Sequence, residues 1–562
     1  MQKRGIILVA TALVLSVLLI LTAVFFSSTV SEKRASDTSK YANQSLYLAE
    51  AGINHGLSEL RKRINSDLNI QLNKVSRNNA FDEYLNNSLG FLADYAYEDG
   101  QPQFSIINNE AQVSLTAIGL GSDVRGTYSG TIFISPNGIP TKQGEVYNFP
   151  YKFRITGTGL INAVTPNITR QVSFLNGEFS VRVQRGNFAR YALFTFHHMM
   201  ENGTTVWFTD KTQFYGPVHT NERFSFAGNP SGRFDKLSDT GIEVSQKMKT
   251  TRYYNNGRSI FLDASSNPPR DVPQFGQGVN FLRDVPLINL ESVVTSNDLR
   301  VQALGDMNEP GQDGIYVPND GANVTGGVYI RGDADSLIMS VVGGNARYAI
   351  TQGSTTKEII VDYANNQTTV REGENSNTYQ GIPDGVGDAG VIIYGKGNIR
   401  GVSGMVQNCS QVTISSERDI VINNHIRYEQ YNAGPPVNAT GYENLLGLLS
   451  WGGDVRIGAD APSNLDIHAV IMSVHGVFTV DNYDSRSPSG NVTLLGGAIT
   501  DFYGAFGTFS GSDLRSGYGR KFIYDQRMLE GYAPPYFPTL SNYISTPTWP
   551  SALLTWKEGV LE

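Results

Sequence analysis

The chain has 562 residues, a net charge of −8 at pH 7, 59 glycines, 10% aromatic residues and 17% charged residues. That length is too great for one compact core and predicts two or three domains, while the acidic balance without a basic block argues against nucleic acid as a partner. Abundant glycine and aromatics favour turn-rich β structure over disorder, and the single cysteine, Cys409, leaves packing and backbone pairing to supply stability.

Residues 6–26 form an apolar run of 21 residues, broken only by Thr11, Ser16 and Thr22, and nothing between Arg4 and Glu32 is charged. As a helix the run spans roughly 30 Å, the thickness of a bilayer's hydrocarbon core. Fifteen of its residues are Ile, Leu, Val or Phe, which places the insertion gain at about −5 to −9 kcal/mol. A cleaved secretory signal has an apolar region of about 7–15 residues ending in a small-x-small site. This run is longer, and Phe25-Phe26-Ser27-Ser28 is a poor cleavage context, so it reads as an anchor. Lys3 and Arg4 precede it, which keeps the N-terminus inside and sends the rest outward, a single pass of the cytoplasmic membrane with a periplasmic or extracellular body. Lys33 and Arg34 weigh slightly the other way.

Between Ser31 and Ile64 there is no proline, and Ala42, Leu46, Ala49, Ile53, Leu57, Leu60 and Ile64 recur in helical steps. The spacing predicts a helix from the membrane to Ile64, a rod of roughly 90 Å ended by Asn65, Ser66 and Asp67. Gly52 and Gly56, four apart, are candidate helix-packing positions, facing either the protein's own body or a second subunit.

The stretch RGIILVATALVLSVLLILTAVFF, followed by QSLYLAEAGINHGLSELRKRI, resembles the N-terminal region of PilX-type pilus-assembly proteins, a branch of the type IV pilin-like family. Leu48-Ala49-Glu50-Ala51-Gly52 carries the most specific part of the likeness. The resemblance implies a leader that a prepilin peptidase would cut between Gly5 and Ile6, and a helix that joins a pilus-like bundle or stays in the membrane beside one. The glutamate usual at the fifth position of the mature helix would fall at Ala10. A carboxylate there would pair with a neighbour's free N-terminus in an apolar bundle, so its absence suits a terminal or accessory subunit, or a protein in no filament at all, better than a repeating subunit.

From Gln103 to Arg185 alternating segments at 104–107, 131–134, 151–155 and 179–183 predict antiparallel strands, and Asn176-Gly177 predicts a tight hairpin between 172–174 and 179–181. A small β-sandwich is the expectation for this part. The stretch from Phe188 to Phe194 and FYGPVHTNERFSFAGNP, beginning at Phe214, then resemble a bacterial domain of unknown function that often follows PilX-type stems. Beyond it, GNIRG, QVTIS, RDIVINN, GGDVRIG, GVFTV and GNVTLLGGAIT are short apolar strands set off by Gly, Asn and Asp. They fit the coils of a β-helix, with a propeller or second sandwich as alternatives. The end, 524–527 followed by 534–538, reads as a non-helical tail capping an open edge.

Chemistry-bearing constellations are sparse. His197-His198 face opposite sides of a strand, without HExxH or a cysteine pair beside them, and His468 and His475 bracket an apolar strand at odd spacing. His219, Asn221 and Glu222, beside the Gly216-Pro217 turn, form the one polar cluster to test for a functional role. No G-x-S-x-G elbow and no Walker-type loop occurs. Asp313, Asp333, Asp335, Asp384 and Asp388 lie in glycine-rich loops, where turn formation competes with calcium binding.

The chain thus reads as mainly β with a long N-terminal α-helix, in three parts: 1–64 leader, transmembrane helix and stem; 65–185 a β-rich, sandwich-like domain; 186–562 a β-helix-like domain with a C-terminal tail. The functional expectation is a non-enzymatic, pilin-like accessory protein of a type IV pilus or related envelope assembly. Its partners are the lipid bilayer and other envelope proteins, with no cofactor, metal or catalytic residue. The alternative is a membrane-tethered β-helix that binds or cleaves carbohydrate with paired acids on one face.

Overall fold

The computed structural model describes residues 2–72, 81–95, 97–98, 101–102, 104–119, 126–143, 146–161, 168–235, 242–263, 269–290, 295–387, 389–430, 443–510, 513–528, 531–549 and 555–557. It is mainly β with a long N-terminal apolar helix, and divides into two units: Met1–Arg185 with Asn542–Glu562, and Gly186–Ser541. The second unit is therefore inserted into the chain of the first. Residues 542–562, which the sequence reading groups with 186–562, fall in the first.

In the first unit, helix α1 (Gln2–Lys62) continues through a π-type turn, Arg63–Asp67, into α2 (Leu68–Leu72). Asn65, Ser66 and Asp67 do not end the helix as expected; Ile64 within the turn and Leu68 and Leu72 after it are fully buried, and that packing overrides their local turn preference. By length and composition α1 can cross a membrane, its most apolar stretch having a mean hydropathy of 2.9.

The predicted strands join one antiparallel sheet in the order Ser105–Ile107, Glu110–Gly119, Gly126–Pro136, Val146–Ile161 and Ile168–Asn187, with Thr539–Thr548 beyond. Tyr147, Phe149, Tyr151, Phe153 and Ile155 alternate onto its buried face. There they meet Ala49, Ile53 and Leu60 of α1, Ile64 of the π-type turn, and Phe91 and Leu92 of α3 (Ser88–Tyr95). The second layer is thus helical, which corrects the expected sandwich.

Asn176-Gly177 is not a turn. It sits inside Ile168–Asn187, with Arg154 opposite Asn176 on one side and Thr555 on the other, so strand partners on both edges override the dipeptide's turn preference.

The second unit is built on parallel pairing between strands distant in sequence. One ladder runs Val328–Arg331, Val391–Gly395, Gln411–Ser416, Leu445–Ser450, Leu465–Ser473 and Asn491–Phe502. It then continues with strands from the start of the unit, Leu193–His197, Val218–Thr220, Ile242–Gln246 and Val279–Leu282. The unit's first strand therefore lies in the middle of this ladder. A second ladder joins Ser336–Val342, Ile399–Val406, Ile420–Tyr428, Val455–Ile457 and Phe478–Val480. A third pairs the first half of Asn491–Phe502 with Gly519–Ile523, Gln213–Tyr215, Arg233–Asp235 and Gln274–Phe275. Residues 336–380 depart from this plan as an antiparallel meander turning at Gly343-Gly344, Gly353, Asn366 and Gly373.

The first ladder is buried on both sides, which is why its strands read LLGLLS and LDIHAVIMS rather than alternating. Leu446, Leu448 and Ile471 enter one core; Leu445, Leu449, Val470 and Met472 enter another. That second core is closed by Leu299, Ala303 and Leu304 of α4 (Ser296–Leu304), whose start carries a capping box between Thr295 and Asp298, and by Phe537 and Leu540. The 524–538 segment lies across a face, not at an open edge: Pro534 and Phe537 press on Gly447 in mid-strand, and Arg527 forms a buried ion pair with Asp525 at 2.6 Å.

Candidate functional site

The stem helix is the first candidate. Residues 5–29 of α1 are exposed, Ile6 at 70% and Phe25 at 77%, whereas Ala49, Ile53 and Leu60 are at 0%. Its polar interruptions are masked: the hydroxyls of Thr11, Ser16, Thr22 and Thr29 donate to the carbonyls of Ile7, Leu13, Leu18 and Phe25. The surface presented by residues 6–26 is thus almost wholly apolar. Gly5 and Ile6, the expected processing pair, lie in this exposed part, with no atom within 4 Å of a Cβ at Gly5.

Gly52 and Gly56 face the protein's own sheet. A Cβ at Gly52 would come 2.5 Å from the Ser129 carbonyl oxygen, and one at Gly56 2.7 Å from Ile155 Cγ2. The sheet answers with glycines: a Cβ at Gly157 would meet the Ala49 carbonyl oxygen at 2.1 Å, and one at Gly159 the Ser45 carbonyl oxygen at 2.0 Å. Helix and sheet backbones approach here as no larger residue allows.

The polar cluster comes together in part. Val218–Thr220 buries His219 against the Phe194 ring at 5.1 Å. Its Nε2 lies 3.1 Å from Asn221 Oδ1 and its Nδ1 2.9 Å from Ser245 Oγ, an arrangement satisfied by an Nε2–H donor and a serine hydroxyl donating to Nδ1. Burial pushes His219 down to about 4. Asn221 clamps the Ile288 backbone at both ends, donating from Nδ2 to its carbonyl at 2.6 Å and accepting its N–H at 2.9 Å.

Glu222 points elsewhere, to His197 Nδ1 at 3.1 Å and the His198 N–H at 2.8 Å. His197 and His198 diverge, as their adjacency predicts. The His198 ring is buried among Phe208, Phe224 and Tyr503, and burial, with the charge of Arg520, lowers it to about 3. His468 is buried with its Nδ1 accepting the Tyr428 N–H, and burial brings it to about 4, while His475 is exposed.

The loop carboxylates are mostly turn-builders. Asp333 accepts the Asn398 N–H at 2.9 Å, Asn398 accepts that of Asp419, Asp419 that of Asp454, and Asp454 that of Val477 at 2.9 Å. One Asx side chain thus bridges each strand start of the second ladder to the next. Asp335 accepts the Gly353 N–H, Asp313 lies 3.7 Å from Arg331, the Asp384 carbonyl accepts the Tyr536 hydroxyl, and Asp388 lies outside the described residues. The bridging role of Asn398, Asp419 and Asp454 was missed, although its signal stands in GNIRG, RDIVINN and GGDVRIG, each with Asn or Asp immediately before an aliphatic strand.

Among the described residues no group of three or more His, Cys, Asp or Glu is placed to hold a metal ion. A concavity of about 400 Å³ in the first unit is lined by Glu110, Phe133, Lys152, Arg154 and Glu178, and one of about 410 Å³ in the second by Asp313, Arg331, Asp333, Lys396 and Arg418. Both mix charges of either sign on open surface.

Residues 146–235 match a family described as a domain of unknown function, DUF4900. No curated protein matches the chain. Among solved structures, the competence-associated pilin ComZ from Thermus thermophilus is similar over 92% of this chain and 98% of that one, at 10% identity and a TM-score of 0.30.

Proposed function

We propose that this chain is a membrane-anchored, pilin-like accessory protein of a type IV pilus or related envelope assembly, close to the PilX type, with its N-terminus in the cytoplasm and a non-enzymatic body that meets other envelope proteins outside. One observation carries the reading. A single helix is apolar and bare over residues 6–26, then amphipathic and packed on an antiparallel sheet from Ala49 to Leu60. An apolar helix surface of that length is stable only in lipid or among other apolar helices.

The ladders of the second unit support reading it as a parallel β-helix, each strand covering the edge of the one before. The Asx bridges support a scaffold over a hydrolase, since Asp333, Asp419 and Asp454 spend carboxylate oxygens on backbone N–H groups.

The test is fractionation of cells expressing the full chain, with mass spectrometry of the mature N-terminus. A membrane-bound pool beginning at Ile6 is expected. A wholly soluble native protein would overturn the anchor, and an intact Met1 would overturn pilin-type processing while leaving the anchor.

A further inference from the structure

Strands Thr251–Asn255 and Arg258–Leu262 form a hairpin turned by Asn256 (φ 49°) and Gly257 (φ 82°). In a two-residue hairpin the residues flanking the turn exchange both backbone hydrogen bonds. Arg258, Ile260 and Leu262 therefore direct N–H and C=O toward Thr251–Asn255, and Ser259 and Phe261 direct theirs away. Thr251–Asn255 is paired on its other side by Ser225–Phe226, whereas among the described residues Arg258–Leu262 has no second partner.

The hairpin's two faces differ. Tyr253, Ile260 and Leu262 pack on the core; opposite them Phe261 is 51% and Tyr254 42% exposed. The Arg252 guanidinium lies 4.7 Å from the Trp207 ring and 5.9 Å from Phe261, and Arg223 stands over Phe261 at 4.9 Å. Arg252 is held there by the hydroxyls of Thr205 and Ser259.

Residues 247–258 carry Lys247, Lys249, Arg252 and Arg258 with no acid between them, a local excess that the net charge of −8 conceals and that the sequence reading missed. Among the described residues none of these four, nor Arg223, has a carboxylate within 4 Å, although Asp263 follows the strand. Elsewhere in the same unit, among the described residues, Arg331, Arg347, Lys396, Arg400, Arg427 and Arg456 each have a carboxylate partner while Arg283, Arg418, Arg486 and Arg520 do not, so what marks this region is the clustering of such cations in one short segment.

We propose that the free edge of Arg258–Leu262, with the arginine–aromatic face beside it, is the docking site for an extended acidic segment of a protein partner. A row of outward backbone donors and acceptors is matched by another backbone, which pairs as an added strand. Half-buried Trp207, Arg223 and Arg252 beside exposed Tyr254 and Phe261 include the Trp, Tyr and Arg types that dominate protein–protein hot spots. The unpaired cations select acidic side chains and speed encounter. A peptide fits better than a phosphate or glycan polymer because Arg252 spends its donors inside the protein, leaving a flat surface rather than a free fork. This deepens the reading of the body as contact surface, and its test does not involve the anchor.

The full chain in detergent is titrated into a fluorescein-labelled peptide alternating glutamate with valine, followed by anisotropy. Parallel arms use the same peptide N-methylated at alternate backbone amides, a lysine–valine peptide, a glucuronate oligosaccharide and a single-stranded oligonucleotide. Salt-sensitive binding of the acidic peptide is expected, weakened at least about tenfold by N-methylation, by Arg223→Glu with Lys249→Glu, and by Phe261→Pro, which removes an outward N–H. Unchanged binding of the N-methylated peptide, preference for the oligosaccharide or oligonucleotide, or no binding of the acidic peptide would overturn the proposal. The N-methylated arm needs no variant to fold.

Discussion

The two halves of α1 belong to one unbroken helix yet obey different solvents. Over residues 6–26 every face is apolar and none is covered, while from Ala49 to Leu60 a buried stripe alternates with Glu50, Glu59 and Arg61 on the rest of the surface. The second half carries the information for its own packing, with glycines on helix and sheet setting a close approach. The first half carries none, because a surface apolar all round specifies a medium and not a partner face. Cohesion of the unit and its place in the cell are thus written in separate stretches of one element, and can be broken separately.

The largest effect is expected from the bare half. Leu15→Lys with Leu19→Lys puts two charges near the centre of the span, at roughly 3 kcal/mol each, which nearly cancels the insertion gain. The protein should leave the membrane pellet while the thermal midpoint of its soluble body stays in place. The mirror experiment is Gly157→Leu, whose Cβ would sit 2.1 Å from the Ala49 carbonyl oxygen. It should destabilise the first unit by about 3 kcal/mol, read in urea, without changing fractionation. Gly5→Ala, with open space around it, should do neither.

A third prediction separates the second unit from the stem by pH. Burial holds His198 near 3 and His219 and His468 near 4, below the ordinary 6.5. The unfolded chain therefore binds more protons than the folded one between these values. Stability that is fully present above about pH 6.5 is lost as pH falls toward 4, each unit of depression corresponding to about 1.4 kcal/mol. The urea midpoint of the second unit should drop between pH 7 and 5, and replacing His219 with glutamine should flatten that slope.

Smaller effects follow. Asn221→Ala removes both bonds to the Ile288 backbone and should cost about 2 kcal/mol, seen as faster proteolysis near residue 288. Asn256→Ala places a Cβ residue without a local polar side chain at φ 49° and should cost about 1 kcal/mol, whereas Asn176→Ala, in extended backbone, should be close to neutral in the same denaturation series.

Those two asparagine–glycine pairs mark how far the sequence can be read. Both have the same local chemistry. Asn256-Gly257 turns because the strands on either side pair with each other, and Asn176-Gly177 does not because the sheet supplies partners on both of its edges. The apolar run, the helical stripe through Ile64 and the alternation of Tyr151 to Ile155 were legible, since each depends on periodicity within one element. The polar cluster was legible only in part: His219 and Asn221 share a hydrogen bond while Glu222 turns to His197.

By itself, then, the sequence determined a long helix with one bare and one amphipathic half, and short strands punctuated by Gly, Asn and Asp. Only the tertiary structure decided that α1 lies on a single sheet, that Leu193–His197 enters the middle of a ladder between Asn491–Phe502 and Val218–Thr220, and that Asp419 and Asp454 serve neighbouring strands. Side-chain period is a property of a few adjacent residues. Which strand lies beside which is settled by pairing and burial among residues hundreds of positions apart, and no local pattern encodes that choice.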